Sequence, residues 1–391
     1  MPQSTKKIKP PIIIGNISDN PFAIDIAYYC EQKLDISDIV ALNDFRNTEF
    51  CPRFISDELD LNCIGEHLNG REVIIVSNST NNESRNSIAM RNFILARAAK
   101  DNGANYVTLL EPDLFYSCQD RGPRKQHTYF DEVRTFEQRK KFDGQPFTSL
   151  LYAQLLKTAG VDRVMTIHTH SVSTKAIYKE YFNNMLTDII PTEIYADYMK
   201  TSDVVDMKNL VLCAPDKGAR GLVEAMADQF GGDVPILYMD KERSGEREID
   251  MELSEKSSVN IENIKDKDIV VFDDMIRTGT TIVRCCELLK KYQPRKIVFC
   301  VTHFHSSVES RANLSNTAID EIITTNTIPS ILNRDTQGRL RKKIVVLKLE
   351  KWIAKNILEQ FNLTNSKHKS KGKSKLYSVD MSAKNPRWRE K

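Results

Sequence analysis

The chain has 391 residues, 40% of them hydrophobic and 28% charged, so it has enough apolar side chains for a sizeable core and is not globally disordered. Lys and Arg (56) nearly balance Asp and Glu (53), although residues 365–391 alone hold nine basic and two acidic side chains. A mildly acidic body with a basic tail argues against a nucleic-acid-binding domain with one basic face. No apolar run approaches the ~20 residues that span a bilayer, and the N-terminus lacks the apolar segment of a secretory signal.

The cysteine pattern indicates a reducing compartment. Eight cysteines are present, no CxxC pair occurs, and no spacing typical of zinc ligands is found. Disulfide frameworks and structural zinc sites are therefore not expected. We predict a cytoplasmic protein with reduced thiols.

Short β-branched runs alternate with helical patterns along the chain, which favours parallel α/β sheets. The predicted strands, in chain order, are 73–76, 106–110, 164–168, 210–213, 235–239, 269–272 and 296–301. The predicted helices are 89–100, 150–159 (ended by Gly160), 221–230 and 282–292. We expect two sheets with a boundary near Pro191. Ligands of such sheets bind beyond the carboxyl ends of the strands.

The segment from Ile269 to Ile282 is the strongest local signal. A hydrophobic strand ends in Asp273 and Asp274, and a Thr/Gly-rich loop then opens a helix. Backbone N–H groups and hydroxyls at a helix N-terminus suit a phosphate, and paired carboxylates can accept hydrogen bonds from two vicinal ribose hydroxyls. The alternative reading is an acidic turn in which Thr only caps the helix.

This segment resembles the phosphoribosyl-diphosphate loop of the phosphoribosyltransferase fold. The rest of the chain, from about Ile12 to about Phe361, is similar to the ribose-phosphate diphosphokinases, which make 5-phosphoribosyl 1-diphosphate from ATP and ribose 5-phosphate. The other matching segments are Ala159 to Val164, Thr302-His303 and Thr325 to Pro329.

The resemblance implies two phosphoribosyltransferase-like domains, each a parallel sheet flanked by helices. We expect an ATP-side domain at 11–190 and a sugar-phosphate-side domain at 191–364. The Ser/Lys-rich segment 365–391 lies past the last family match and is predicted to be a disordered basic tail. Members of the family assemble as dimers and hexamers with shared adenine sites, so the resemblance implies a homo-oligomer. We expect neither a membrane nor a nucleic acid as a partner.

The resemblance also assigns ATP-side residues. Its adenine loop corresponds to residues 45–49, its R-Q-D-R motif to residues 118–121, and its strand-end histidine to position 170. The implied ATP-binding residues are Phe45, Asn47, Glu49, Gln119, Asp120 and His170. Without the resemblance, the Phe45 loop reads as a surface loop. His168 and His170, two positions apart in an extended segment, are expected to point the same way.

On the sugar-phosphate side, the family's P-D-x-G loop corresponds to residues 215–218. The implied sugar-phosphate ligands are Asp216, Asp273, Asp274, Arg277, Thr278, Gly279, Thr280 and Thr281. The implied cofactor is Mg²⁺, with His170 and Asp216 as its candidate ligands. Lys217 and Arg220 add positive charge suited to a diphosphate.

The catalytic cations implied by the family's flap motif are Lys241 and Arg243. Positioned cations that neutralise developing charge are the main contribution of a protein to phosphoryl transfer. The implied reaction transfers the β,γ-diphosphoryl group of ATP to the anomeric hydroxyl of ribose 5-phosphate and releases AMP.

Several positions depart from the family pattern. Cys118 replaces an arginine that contacts ATP, Gly122 replaces a usual lysine, Arg277 replaces an acidic residue, and Thr280 replaces a glycine. A charged segment at about 125–142 is inserted after the Gln119-Asp120 loop. These departures leave open a bulkier acceptor such as ADP-ribose, or a non-catalytic regulatory homologue; a phosphoribosyltransferase proper would explain only residues 273–281.

Overall fold

The computed structural model describes residues 9–55, 62, 67–80, 83–124, 134–243, 249–363 and 375–380. The chain divides into two compact units. The first comprises the chain up to Ile189 together with Glu350–Leu376, and the second comprises Ile190–Leu349 and the chain from Tyr377 onward. The change of unit after Ile189 lies beside the expected boundary, whereas the return of Glu350–Leu376 to the first unit differs from the expected single domain at 191–364.

The first unit is a five-stranded, all-parallel sheet in the order β1-β4-β5-β6-β7, with a separate β2-β3 hairpin. Its elements up to Ile189 are β1 (Ile12–Gly15), α1 (Pro21–Tyr29), α2 (Ile36–Ile39), β2 (Val40–Asp44), β3 (Phe50–Phe54), β4 (Glu72–Val76), α3 (Arg85–Asp101), β5 (Tyr106–Leu110), α4 (Phe136–Lys140), α5 (Thr148–Ala159), β6 (Arg163–Ile167), α6 (Val172–Tyr181) and β7 (Leu186–Ile189).

Local sequence explains these elements. The residues of β1 are all buried, as expected for a parallel sheet covered on both faces. Asn20 caps α1 by accepting hydrogen bonds from two backbone N–H groups, and Pro21 occupies the first turn. Gly160 ends α5 with φ +107°, and a Cβ there would lie 2.7 Å from Cγ of Lys100. The prediction of a glycine-terminated helix is therefore confirmed.

The second unit is an eight-stranded sheet in the order β10-β9-β8-β11-β12-β13-β14-β15. The elements from Ile190 onward are α7 (Thr192–Thr201), β8 (Leu210–Ala214), a 3₁₀ turn (Lys217–Ala219), α8 (Arg220–Gln229), β9 (Ile236–Arg243), β10 (Ile249–Leu253), a 3₁₀ turn (Ile261–Ile264), β11 (Asp268–Ile276), α9 (Thr280–Lys290), β12 (Lys296–Phe304), α10 (Val308–Leu314), β13 (Glu321–Thr325), a 3₁₀ turn (Pro329–Leu332), α11 (Arg334–Gln337), a 3₁₀ turn (Gly338–Lys342), β14 (Ile344–Lys348), α12 (Glu350–Gln360) and β15 (Ser378–Asp380). Of these, α12 belongs to the first unit.

The six central strands of the second sheet are parallel, and only the two outermost pairings, β9 with β10 and β14 with β15, are antiparallel. Each unit has its own hydrophobic core beside its sheet. Parallel sheets flanked by helices confirm the predicted fold class. No helix within the described ranges is long and apolar enough to cross a membrane.

The prediction of a disordered tail from residue 365 does not hold for residues 375–380. Ser378–Asp380 pair with β14 at the edge of the second sheet. Tyr377 is buried, stacks edge-on against Tyr198, and donates a hydrogen bond from its hydroxyl to Oδ2 of Asp197 at 2.9 Å. One aromatic anchor and a short ladder thus order a segment whose composition alone favours disorder. Residues 365–374 and 381–391 of the predicted tail lie outside the described residues.

Candidate active site

Two acidic residues lie at the carboxyl end of β11, as the sequence predicts, although the strand continues past them to Ile276. The backbone N–H of Asp274 donates to Oδ1 of Asp273 at 2.9 Å, and the N–H of Met275 donates to Oδ1 of Asp274 at 2.7 Å. These short-range bonds fix both carboxyl groups against the backbone, and both residues are half-buried. Each carboxylate keeps further lone pairs for a ligand.

A third carboxylate, that of Asp216, lies near this pair. Burial, with the negative charges of Asp274 and Asp216, raises the pKa of Asp273 well above its usual range. Asp216 accepts hydrogen bonds from the N–H groups of Gly218 (2.9 Å) and Ala219 (3.3 Å) at the start of a 3₁₀ turn. The ionised form of such a cluster of carboxyl groups is stabilised by a nearby cation or by hydrogen bonds from sugar hydroxyls.

The chain turns from β11 into α9 through Gly279, whose φ is +83°. A Cβ at this position would lie 3.1 Å from Cδ1 of Ile276 and 3.3 Å from Leu314, so both conformation and space require glycine. Thr280 and Thr281 form the first turn of α9, with Thr280 exposed. The carbonyl of Thr278 accepts a hydrogen bond from Asn313 at 2.9 Å, which steadies the loop. Free backbone donors in a first helical turn are suited to a phosphate.

The cations expected around this end of the sheet differ in their surroundings. Arg277 is exposed, and the side chain of Lys217 is 78% exposed. Arg220, by contrast, donates to Oδ1 of Asp240 at 2.8 Å and lies over the ring of Tyr238 at 5.1 Å. Its charge is thereby compensated within the protein, so the expectation that Arg220 serves a diphosphate is not supported by its contacts.

Lys241 and Arg243 lie in the last part of β9. Through the antiparallel pairing with β10, Lys241 is opposite Met251 and Arg243 is opposite Ile249. The two cations therefore alternate with Glu242 along an antiparallel β-ribbon. The family resemblance predicts that a flap starts at these residues. Their side chains, and the flap residues 244–248, lie outside the described part of the structure.

The sequence analysis assigned no role to a buried polar cluster at the ends of β12 and β13. The hydroxyls of Thr325 and Thr327 donate to the carbonyl of Thr302 at 2.8 and 3.0 Å. His303 is buried, lies opposite Met275 in the ladder, and has Nδ1 3.0 Å from Oγ1 of Thr327. The cluster braces the strand that carries Asp273 and Asp274. Polar residues at the carboxyl ends of two buried strands were the signal that could have identified it.

The carboxyl end of the first sheet also contains a buried polar network, centred on Glu111 directly after β5. Its Oε1 accepts hydrogen bonds from Ser77 (2.9 Å), Asn92 (3.1 Å) and Tyr152 (3.1 Å), and its Oε2 accepts one from the N–H of Phe115 (2.9 Å). Burial outweighs these donors and raises the pKa of Glu111 to about 7. The sequence analysis assigned no role to Glu111.

The expected nucleotide segment follows this network. Gln119 is exposed, and its carbonyl accepts a hydrogen bond from the N–H of Ser149 at 3.0 Å. Asp120 accepts a hydrogen bond from the hydroxyl of Ser171, the N-cap residue of α6. Cys118 is half-buried, with Sγ 3.9 Å from Oγ of Ser117. The segment is therefore tied to two helices.

The two histidines after β6 do not share a direction. His170 is exposed, as a ligand-binding side chain would be. His168 is buried and adopts a left-handed conformation with φ +49°. The expectation that both point the same way is wrong, because the backbone leaves the extended conformation at His168.

Residues 45–49 form the tip of the β2-β3 hairpin. The N–H of Phe45 donates to the carbonyl of Glu49 at 2.8 Å, and Oδ1 of Asn47 accepts from the N–H of Glu49 at 3.2 Å. Phe45 is 57% exposed, and Asn47 and Glu49 are exposed as well. A large ring held out from a hairpin has its face available for stacking.

Within the described ranges, no group of three or more His, Cys, Asp and Glu side chains could hold a metal ion by itself. Mg²⁺ usually takes one or two carboxylates and completes its shell with water and substrate phosphates. The carboxylate of Asp216 is an oxygen donor that fits such a shared shell, in which water and substrate supply the other ligands. The resemblance assigned His170 and Asp216 as metal ligands, but they lie in different units.

Comparison with known proteins adds independent findings. A phosphoribosyl transferase domain model matches residues 178–330. Ribose-phosphate pyrophosphokinases of Campylobacter jejuni (28% identical, covering 71% of this chain and 78% of that protein) and Corynebacterium efficiens (28%, 81% and 83%) are similar to the chain. So is ribose-phosphate pyrophosphokinase 4 of Saccharomyces cerevisiae (27%, 68% and 72%).

Among solved structures, the phosphoribosylpyrophosphate synthetase of Mycobacterium smegmatis matches with a TM-score of 0.69 and 22% identity. The match covers 90% of this chain and 99% of that one. It shows that the two share a fold across both units.

Proposed function

The chain is a divergent member of the ribose-phosphate pyrophosphokinase family, and we propose that it transfers the β,γ-diphosphoryl group of ATP to the anomeric hydroxyl of ribose 5-phosphate. The anomeric oxygen attacks the β-phosphorus, a new O–Pβ bond forms, and the hydroxyl proton is lost. The bond from Pβ to the bridging oxygen breaks, and AMP leaves with that oxygen. The products are 5-phosphoribosyl 1-diphosphate and AMP.

The observation that carries this proposal is the arrangement at the end of β11. Asp273 and Asp274 are held by their own backbone, and Gly279 then turns the chain so that α9 begins with Thr280 and Thr281. Two carboxylates can hold the vicinal hydroxyls of a ribose while the helix start holds its 5-phosphate. One continuous segment therefore recognises both ends of a ribose 5-phosphate.

We assign the remaining roles from the family register. Phe45 stacks on adenine, and Asn47 and Glu49 meet its edge. Gln119, Asp120 and His170 contact the ATP phosphates or ribose. Lys241 and Arg243 neutralise charge on the transferred group, and Arg277 adds a cation beside the 5-phosphate loop.

Mg²⁺ is the proposed cofactor. The ion would supply positive charge that offsets the phosphate charge opposing attack on phosphorus. Asp216 is a proposed ligand because its carboxylate lies near Asp273 and Asp274, whose mutual repulsion favours a cation. His170 is the second proposed ligand, on the family register alone.

We further propose a homo-oligomer in which the exposed Phe45 hairpin completes a neighbour's adenine site, and a cytoplasmic location. The second proposal is consistent with the seven described cysteines, all of which are free thiols.

The test is a product analysis by mass spectrometry of purified full-length protein with ATP, Mg²⁺ and one acceptor at a time. With ribose 5-phosphate we expect AMP and a ribose carrying a 1-diphosphate. A product with ADP-ribose but not with ribose 5-phosphate would reassign the acceptor. No AMP with any acceptor would favour a non-catalytic homologue and contradict the proposal.

A further inference from the structure

The inserted segment supplies a buried arginine to the expected nucleotide segment. Arg134 is 8% exposed, and its Nη2 donates to the carbonyl of Gly122 at 3.1 Å and to the carbonyl of Arg124 at 3.2 Å. Both acceptors follow directly on Gln119, Asp120 and Arg121. A side chain from the insertion therefore closes on the loop that precedes it.

The guanidinium is itself held in place. It lies over the ring of Phe142, with its central carbon 5.7 Å from the ring centroid. The next residue, Thr135, caps α4 through a capping box with Gln138, with bonds of 2.8 and 3.2 Å. A cation that lies over an aromatic ring and precedes a capped helix has few alternative conformations.

These contacts complete a set of restraints on residues 119–124. The carbonyl of Gln119 is bonded to the N–H of Ser149, and the carboxylate of Asp120 to the hydroxyl of Ser171. Arg134 holds the second half of the segment at Gly122 and Arg124. Gly122 has no side chain with which to restrain itself, so without Arg134 the turn from Arg121 to Arg124 would lose its described anchor.

We propose that Arg134 is a positioning residue for the nucleotide, which acts by fixing the conformation of residues 119–124. The inference rests on the proposed function, since it requires that Gln119 and Asp120 contact ATP. It also gives the insertion a role in a segment where Cys118 and Gly122 replace two cations. Arg134 thus adds a restraint from the insertion to a segment that has its own ion pair between Arg121 and Asp120.

The test compares steady-state kinetics of the full-length wild type with Arg134→Ala and Arg134→Lys. Loss of two hydrogen bonds from a charged donor is expected to raise KM for ATP about tenfold in Arg134→Ala. The KM for ribose 5-phosphate and kcat should change less than about twofold. Arg134→Lys should be intermediate, because an ammonium keeps the charge and can donate to a carbonyl but lacks the planar, multi-donor guanidinium.

Lys140→Ala is the matched control. Lys140 lies on α4 of the same insertion and forms only an exposed ion pair with Asp143 among its described contacts. It should behave as the wild type. An unchanged KM for ATP in Arg134→Ala, or an equal change in all kinetic parameters, would overturn the inference. Should Arg134→Ala fail to fold, the same criteria apply to Arg134→Lys.

Failure of the proposed function is distinguishable. A wild type without turnover contradicts that function, and the inference is then tested by calorimetric titration with ATP. Weaker ATP binding by Arg134→Ala than by Lys140→Ala supports the inference, and equal binding overturns it.

Discussion

The carboxyl ends of the two sheets are built in different ways. In the second unit, one continuous stretch from Asp273 to Thr281 brings the carboxylates and the helix start together. In the first unit, the polar groups come from separate places: Glu111 after β5, the segment at Gln119 and the turn at His170. The first arrangement depends on local backbone geometry, and the second depends on tertiary packing.

The carboxyl ends of the two sheets are expected to tolerate different substitutions. At the end of the second sheet, the local backbone geometry requires particular residues. Gly279 makes the turn before α9, and Asp273 and Asp274 lie in the strand that precedes it. Where the site is built by tertiary packing, one functional group can be lost and another supplied from a different segment. Cys118 stands where the family has an arginine, and Arg134 is supplied by the insertion. We therefore expect substitutions of the site residues in the second unit to abolish turnover, and substitutions of the site residues in the first unit to weaken nucleotide binding.

The largest expected effect concerns the chemical step. Lys241→Ala and Asp273→Asn should each lower kcat about 10²–10³-fold, because the first removes a cation where charge develops and the second removes a carboxyl oxygen that accepts from the sugar hydroxyls. AMP formation measures this. Lys256→Ala and Asp228→Asn, both at exposed positions, are matched controls that should retain activity. An active Lys241→Ala variant would remove the flap assignment.

The second effect concerns Glu111, the buried acid of the first unit, and the pH dependence of the free energy of unfolding. A raised folded pKa means that the native state binds a proton more tightly than the unfolded chain, so stability falls as pH rises from about 4.5 to about 7. A shift of the Glu111 pKa from its ordinary value of 4.5 to about 7 corresponds to about 3 kcal/mol. The free energy of unfolding of the wild type should therefore fall over this range. Glu111→Gln should lose most of that slope; an unchanged slope would show that other groups carry it.

The sequence predicted seven of the strands, namely β4, β5, β6, β8, β9, β11 and β12, because buried β-branched runs are local signals. It also predicted that two acids follow the buried run 269–272, although β11 continues past them to Ile276. It did not predict the remaining strands; among them, β15 is ordered by pairing with β14 and by the contacts of Tyr377 with Tyr198 and Asp197. Likewise, the pairing of Arg220 with Asp240 and the left-handed His168 arise from tertiary contacts that periodicity does not encode.

The third effect separates nucleotide binding from stability. Phe45→Ala should raise KM for ATP about tenfold, because a stacked base gains about 1–3 kcal/mol from an aromatic ring. The melting temperature should not change, since Phe45 is 57% exposed. Phe136→Ala is the control, because Phe136 is another exposed ring of the same unit, 71% exposed. An equal KM in both variants would contradict the stacking role.

The smallest effect concerns the edge of the second sheet. Tyr377→Phe removes the hydroxyl bonded to Asp197 and should lower the free energy of unfolding by about 1 kcal/mol, with kcat unchanged. Denaturant titration measures this. Tyr28→Phe, which removes a hydroxyl at a 75% exposed position, should have no effect. Equal stabilities of the two variants would mean that the tail strand does not contribute.

The most direct measurement of the central claim is a ³¹P NMR time course of the full-length protein with ATP, Mg²⁺ and ribose 5-phosphate. The account predicts that AMP and a sugar 1-diphosphate appear in equal amounts, with ribose C1 joined to the former β-phosphorus. Formation of ADP with a sugar bisphosphate, or no consumption of ATP while the fold is intact, would contradict it.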